Sequence, residues 1–157
     1  LHLGQCYLEI LGPFIWLGDC KRIWTADRCA KHGLPHNDSC VFCHNHFEDV
    51  DHLLTGCVVI NILWNSVLNW LGLLAVAPSI GRTFIEWWTL EREGVTAQHK
   101  KRLNTAIMLV VWSVWKERNK RVIEDKSVPM ETLVNLIKGD AFEWFKAAAR
   151  CFESLFV

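Results

Sequence analysis

The sequence predicts a mostly α-helical domain in which N-terminal helices and a C-terminal set of helices flank one irregular loop, with room for a tiny β-hairpin in that loop. Three observations carry this expectation. Apolar residues recur at helical spacing on both sides of the loop, most clearly from Cys57 to Leu73 and from Thr96 to Glu124. Between Leu34 and Gly56 that spacing lapses, and Pro35, Asn37, Asp38, Ser39, Asn45 and Gly56 supply turn chemistry instead. Nine Trp and eight Phe against one Tyr, in a chain of 157 residues that is 51% apolar, provide bulky side chains for helix packing in a core of ordinary domain size.

Taken in order, the part up to about Gly33 reads as helical. Pro13 stands near a helix start, and Phe14, Ile15 and Trp16 form its apolar face. A short helix follows over Ala26 to His32, with Thr25 as N-cap and Gly33 as its stop. After the loop, Ile60, Leu63, Trp64, Val67, Leu68 and Leu71 share one helical face, while Asn61, Asn65 and Asn69 run along another. Ser79 is placed to cap a short helix carrying Phe84, Ile85, Trp87 and Trp88 and ending near Gly94. The long helix from Thr96 to Glu124 presents Leu103, Ile107, Val110, Val111, Val114 and Val122 on one side, and its later half is basic. Ser127 and Pro129 open a last helix in which Leu133, Leu136, Ile137, Phe142, Phe145 and Ala149 are expected to pack inward, with Gly139 as a weak point. The expected organisation is a first domain over 1–75 and a C-terminal helical region over 76–157 packing on it.

Seventeen Lys plus Arg balance seventeen Asp plus Glu, so no global positive field draws in a polyanion. Local basic clusters remain: Lys21 with Arg22, then Lys100, Lys101 and Arg102, then Lys116, Arg118, Lys120 and Arg121, each also readable as the solvated face of a helix. No charged residue falls between Asp51 and Arg82, yet the Asn stripe at every fourth position would lie unsatisfied in lipid, and Pro78 and Gly81 break the run; no membrane span is expected. The opening stretch to Leu17 has neither a basic lead nor a small-residue cleavage site, so it does not read as a signal peptide. A chain that begins with Leu and has no Met before Met108 reads as a piece of a longer frame or a processed product.

Seven cysteines, an odd and scattered set, fit a reducing compartment better than a disulfide scaffold. Cys6, Cys20, Cys29 and Cys151 sit among apolar residues and read as small buried side chains. The others form a constellation. Cys40, Cys43, His52 and Cys57 spell C-x2-C-x8-H-x4-C, in which a tight turn aims two thiolates at one point and an imidazole and a third thiolate follow within reach. Three sulfurs and one nitrogen suit one tetrahedral Zn2+ and leave no open position for a reactive water, so the ion would be structural. His44 and His46 are near enough to compete, but their place beside Cys43 crowds a tight turn, and His52 is the expected fourth ligand. Read without a metal, Cys40 and Cys43 are ordinary reduced thiols or an occasional disulfide, and the loop is left without a staple. No Gly-rich phosphate loop is found. Cys29, His32 and Asp27 share one short helix without the geometry of a nucleophilic site, so no catalytic residue is assigned.

Around this constellation the order of residues is distinctive: Phe14 and Trp16, then Thr25-Ala26-Asp27-Arg28, Gly33-Leu34, the Cys pair, Glu48, Asp51-His52-Leu53-Leu54, Cys57 and Trp64. It resembles the zinc-binding domain on the C-terminal side of plant LINE-type, non-LTR reverse transcriptases, whose pattern runs F-x-W, T-A-D-R-L, C-x-x-C, E-x-x-x-H-L-F, Cys and Trp. Cys29 stands for the usual Leu, and Leu54 for the usual Phe. The resemblance spans about residues 13 to 70 and extends to Trp112-Ser113-Val114-Trp115-Lys116-Glu117-Arg118-Asn119. The family's basic lead-in is missing, since no Lys or Arg precedes Lys21.

The resemblance implies a retroelement origin, zinc held by Cys40, Cys43, His52 and Cys57, and a non-catalytic module that assists RNA or DNA handling. The alternative is a zinc-stapled structural or protein-interaction domain with no nucleic-acid affinity. In the first case Lys21, Arg22, Arg28 and Lys31 would neutralise phosphates while an exposed Trp or Phe42 stacks on a base. Partners are then RNA or DNA, and a reverse transcriptase domain or another protein, in an intracellular setting with the nucleus a plausible compartment. Polymerase and RNase H activities are not implied, because the paired aspartates and the carboxylate set they need are absent from the sequence.

Overall fold

A computed structural model describes residues 24–153, with side chains through 146. The helix expected around Pro13, Phe14, Ile15 and Trp16 lies outside the described residues, as do Lys21, Arg22, Cys6 and Cys20; the side chains of Ala149 and Cys151 lie outside them too.

The described chain is mostly helical. It runs through α1 (Ala26–Lys31), a π-helical turn (His52–Gly56), α2 (Val58–Trp70), α3 (Phe84–Glu91), α4 (Ala97–Ile123) and α5 (Met130–Glu153). Extended structure among the described residues is confined to one antiparallel bridge between Ser39 and Phe47, which closes the irregular loop as a minimal hairpin. α2 packs against the π turn, α4 and α5, and α4 packs against α5.

The core is what the helical spacing selects. Ile60, Leu63, Trp64, Val67 and Leu68 of α2 are buried, facing a set from α4 that includes Leu103, Ile107, Val110, Val111 and Val114. Trp64 and Trp87 meet at 4.9 Å between ring centroids, and each indole N–H finds a backbone carbonyl, Leu54 at 2.7 Å and Val76 at 2.8 Å. These bonds satisfy the polar edges of two large rings that would otherwise be costly to bury. On the outer side of α2, Asn61 donates to the Pro78 carbonyl and holds the following loop in place, while Asn65 and Asn69 face solvent. No helix among the described residues is long and apolar enough to cross a membrane.

Two expectations are corrected. α3 is capped by Thr83, not Ser79: Thr83 Oγ1 accepts from Glu86 N while Glu86 Oε2 accepts from Thr83 N. This reciprocal arrangement needs an acidic or amide side chain three residues on, and Ser79 has Arg82 there. In α5, Leu133 and Ile137 are buried, but Leu136, Phe142 and Phe145 are 50%, 61% and 72% exposed; Val122 on α4 is also half exposed. The inward seam of α5 passes instead through Met130, Val134, Ala141 and Trp144, because α5 meets α4 and α2 along a single narrow stripe. Gly139 does not break the helix. It is exposed, and a Cβ added there would meet nothing within 4 Å. Gly139→Ala should therefore raise stability by about 0.5–1 kcal/mol, read as a higher urea midpoint with an unchanged slope.

Candidate metal centre

The loop between α1 and the π turn is built around its own backbone hydrogen bonds. Cys40 N donates to His46 O at 2.8 Å and His44 N to Cys40 O at 2.9 Å, the latter with His44 in the left-handed region at φ 57°. Glu48 N donates to Asp38 O at 3.0 Å, and the Ser39–Phe47 bridge lies between these bonds. The result is a short hairpin whose tight turn carries Cys40 and Cys43.

The other two candidate ligands come from the π turn. In an α-helix at about 100° per residue, side chains five apart point about 140° away from one another. Here Cys57 N donates back to His52 O at 2.7 Å, an i→i+5 closure that widens the turn and brings His52 and Cys57 toward one side. Asp49 Oδ1 accepts from His52 N at 2.7 Å and fixes where the turn begins. Gly56 leaves room for the imidazole: a Cβ there would stand 3.3 Å from His52 Nδ1. The opposite ring nitrogen, Nε2, lies 3.3 Å from Cys43 Sγ, so Nε2 is the nitrogen that faces the sulfurs.

Cys40, Cys43, His52 and Cys57 thus converge, their donor atoms all within 4.8 Å of one another. The Cys40 and Cys57 sulfurs are 4.0 Å apart. Ligands held at about 2.3 Å by a tetrahedral zinc lie about 3.8 Å from each other, so the donor set fits one such ion with little adjustment. Cys40 and Cys57 are wholly buried, whereas Cys43 and His52 are partly exposed.

The electrostatics bias Cys57 and His52 toward the forms that ligate and Cys40 away from it. The hydrogen bond from the Cys40 thiol, helped by the Val59 and Ile60 amides in the first turn of α2, holds Cys57 below the usual thiol range despite its burial. Cys40 is pushed well above that range, first by sharing its proton with Cys57 and then by burial. A divalent cation held between the two sulfurs would displace the proton that burial and Cys57 keep on Cys40. Burial, then the neighbouring His46, pulls His52 below the ordinary histidine range and keeps its ring neutral, the form that ligates.

Behind the hairpin stands a buried polar junction that sequence reasoning did not assemble. Glu48 Oε1 accepts from Ala26 N at 3.2 Å and from Arg118 Nε and Nη2 at 3.1 and 2.8 Å, while its Oε2 faces Val41 N at 3.5 Å. Asp27 N adds a bond to Glu48 O at 3.2 Å. The first amides of α1, the Cys-bearing turn and the C-terminal part of α4 are thereby joined at one carboxylate, 1% exposed. One turn further along α4, Arg121 donates to Val41 O at 3.1 Å, lies 4.5 Å over the Phe42 ring and pairs with Glu117 at 2.9 Å. Glu117 in turn accepts from Val128 N at 2.9 Å.

This corrects the reading of Arg118 and Arg121 within the last basic cluster, whereas Lys101 and Lys120 are exposed. Arg118 and Arg121 are neither a nucleic-acid patch nor a solvated face; they are structural clamps. Lys116 pairs with Asp140 at 3.0 Å, and Arg102 donates to Leu71 O at the end of α2 at 2.7 Å. Phe42 is buried beneath Arg121 and cannot stack on a base; the exposed aromatics of this region are Trp24 and Phe47. Among the candidate phosphate contacts, Arg28 is partly buried with its guanidinium 4.7 Å over Trp24, and Lys31 is exposed within 3.8 Å of Asp27. Lys21 and Arg22 lie outside the described residues. The sequence signal for the missed junction was present in Glu48 and in Lys116-Glu117-Arg118-Asn119, but nothing in a linear pattern pairs residues so far apart.

Residues 11–64 match the family model described as zinc-binding in reverse transcriptase. This segment is a reverse-transcriptase zinc-binding domain. Its Cys3His group can hold a single zinc ion, and such a domain is an accessory element, not a catalytic one. No curated protein and no solved structure matches the chain.

Arg118→Met should cost about 3–5 kcal/mol by leaving Glu48 buried without its counter-charge, and the paired change Arg118→Met with Glu48→Leu should recover part of that loss, both read by urea denaturation. Chelation should release about one zinc per chain and lower the thermal midpoint measured by circular dichroism. The release should quicken with acid. Because the folded state holds His52 below its ordinary value, protons favour the unfolded chain as pH falls through about 6.5, and they compete with zinc at the sulfurs as well. Chelator-driven release that is equally fast at acid and neutral pH would contradict this.

Proposed function

We propose that this chain is a non-catalytic, zinc-stapled accessory module of LINE-type retroelement origin, acting beside a reverse transcriptase in handling RNA or DNA. The observation that carries the reading is the convergence of Cys40, Cys43, His52 and Cys57 into one closed donor set inside the matched segment. Four protein ligands leave a zinc ion no place for substrate or water, so its work is to hold the hairpin, the π turn and the start of α2 together. In this reading the module at 1–75 and the helices at 76–157 act as one unit, because the Glu48–Arg118 pair ties them at the level of a buried charge. A retroelement role places it inside the cell, with the nucleus as the working compartment.

With the α4 arginines consumed by the fold, nucleic-acid contact falls to the α1 side. There Arg28 and Lys31 join exposed Trp24, and Phe47 is exposed on the hairpin whose next residue bonds the start of α1. Lys21 and Arg22 are proposed to extend this face. Cations beside stacking platforms are what a single strand needs. A second reading, docking onto another protein, is favoured by the exposed Leu136, Phe142 and Phe145 on α5. The test is binding of single-stranded RNA by fluorescence anisotropy at several salt concentrations. The proposed face should give affinity that falls steeply with salt; Arg28→Ala with Lys31→Ala should flatten the log–log slope by about 1.4, and Trp24→Ala should cost about 1–3 kcal/mol. Absent binding, or an affinity indifferent to salt, sinks the nucleic-acid role and leaves the docking reading.

A further inference from the structure

Cys40 and Cys57 are sealed in the core at 0% and 1% exposure, so a chelator or other competitor for the metal must approach over Cys43 and His52. An open cleft of about 300 Å³, lined in part by His46, Asp49, His52 and Glu86, gives on to that edge. His46 guards it. Its ring is stacked on His52 with centroids 5.1 Å apart and planes 28° from parallel, and its Nδ1 lies 3.9 Å from Cys43 Sγ. The backbone holds it there: His46 O accepts from Cys40 N at 2.8 Å, and the next residue, Phe47, pairs with Ser39. A second donor-bearing ring is thereby kept within a side-chain rotation of the centre, tethered to the first ligand of the set.

We propose that His46 is a reserve metal ligand, which takes the fourth position when Cys43 is withdrawn and converts the Cys3His centre into Cys2His2. The inference rests on the zinc-binding reading above. Both donor sets suit tetrahedral zinc, and the exchange replaces one thiolate by one neutral imidazole, so the centre passes from singly negative to neutral without losing its geometry. His52 holds the primary position because Asp49 fixes its backbone and the bare Gly56 receives its ring, whereas His46 is exposed and lies outside the group whose donors are all mutually close. Cys43 is the sulfur it can replace, lying 3.9 Å from its Nδ1 and being the one reached from solvent.

The test uses the full chain loaded with zinc or with cobalt. Cys43→Ser should still hold about one metal per chain, with the cobalt spectrum of a tetrahedral site carrying two thiolates. Adding His46→Phe, which keeps a ring to stack on His52 but removes the donor nitrogen, should then weaken zinc binding by about 10–100-fold. Equal affinity in Cys43→Ser with and without His46→Phe overturns the proposal. In case Cys43→Ser does not fold, a second measurement decides: with all cysteines intact, His46→Phe should speed chelator-driven zinc loss about tenfold, while His44→Asn should leave it unchanged. A rate unaltered by His46→Phe, or altered as much by His44→Asn, overturns it. A parent protein that holds no zinc overturns the metal reading itself, and this inference with it.

Discussion

The carboxylate of Glu48, 1% exposed, sits where three pieces of chain meet. Its oxygens gather the leading amide of α1, the amide behind the Cys-bearing turn and the guanidinium of Arg118. A buried ion of this kind tolerates little rearrangement, because each donor that moves away leaves a desolvated charge behind it. It therefore acts less as a source of net stability than as a constraint on position. The hairpin cannot tilt, nor α1 swing, without exposing the cost at Glu48. The placement of the turn that carries Cys40 and Cys43 is inherited from that constraint.

The metal centre completes what the junction begins. Hydrogen bonds alone order the hairpin and the widened turn separately, and each contributes two donors; an ion shared between them converts two local motifs into one body. The division between buried and partly exposed ligands matters as much as their number. Cys40 and Cys57 belong to the hydrophobic core, so the ion is anchored from inside, and Cys57 also opens α2. Cys43 and His52 form the outer edge, where exchange with solvent is decided. Nothing in this arrangement activates a water or a substrate, which accords with an accessory role for the domain.

Much of this was legible in the residues. The four-ligand spacing identified the group that the fold brings together, and helical periodicity located α2, α4 and their buried faces, because both signals are local. α5 was read less well: its amphipathic stripe is broad enough to admit two seams, and only the positions of α2 and α4 choose Val134, Ala141 and Trp144 over Leu136, Phe142 and Phe145. The cap of α3 falls four residues past the serine that the local pattern offers, since Ser79 has a cap oxygen but not its reciprocal acid. The basic run on α4 was misread for a deeper reason. A guanidinium counts as surface charge in any linear pattern, and the carboxylate that draws Arg118 inward lies 70 residues away. Gly56 was seen only as a turn residue, although its missing side chain is what admits the imidazole of His52.

The Glu48–Arg118 pair also bears on how such a module can be moved between polypeptides. The segment that carries the family signature closes at Trp64, whereas the cation that neutralises its innermost acid belongs to a helix that begins only at Ala97. A transplant cut at the edge of the signature would import an acid without its base. Recombination that shuffles this element intact has to carry the distant helix along, or supply another arginine at the same depth.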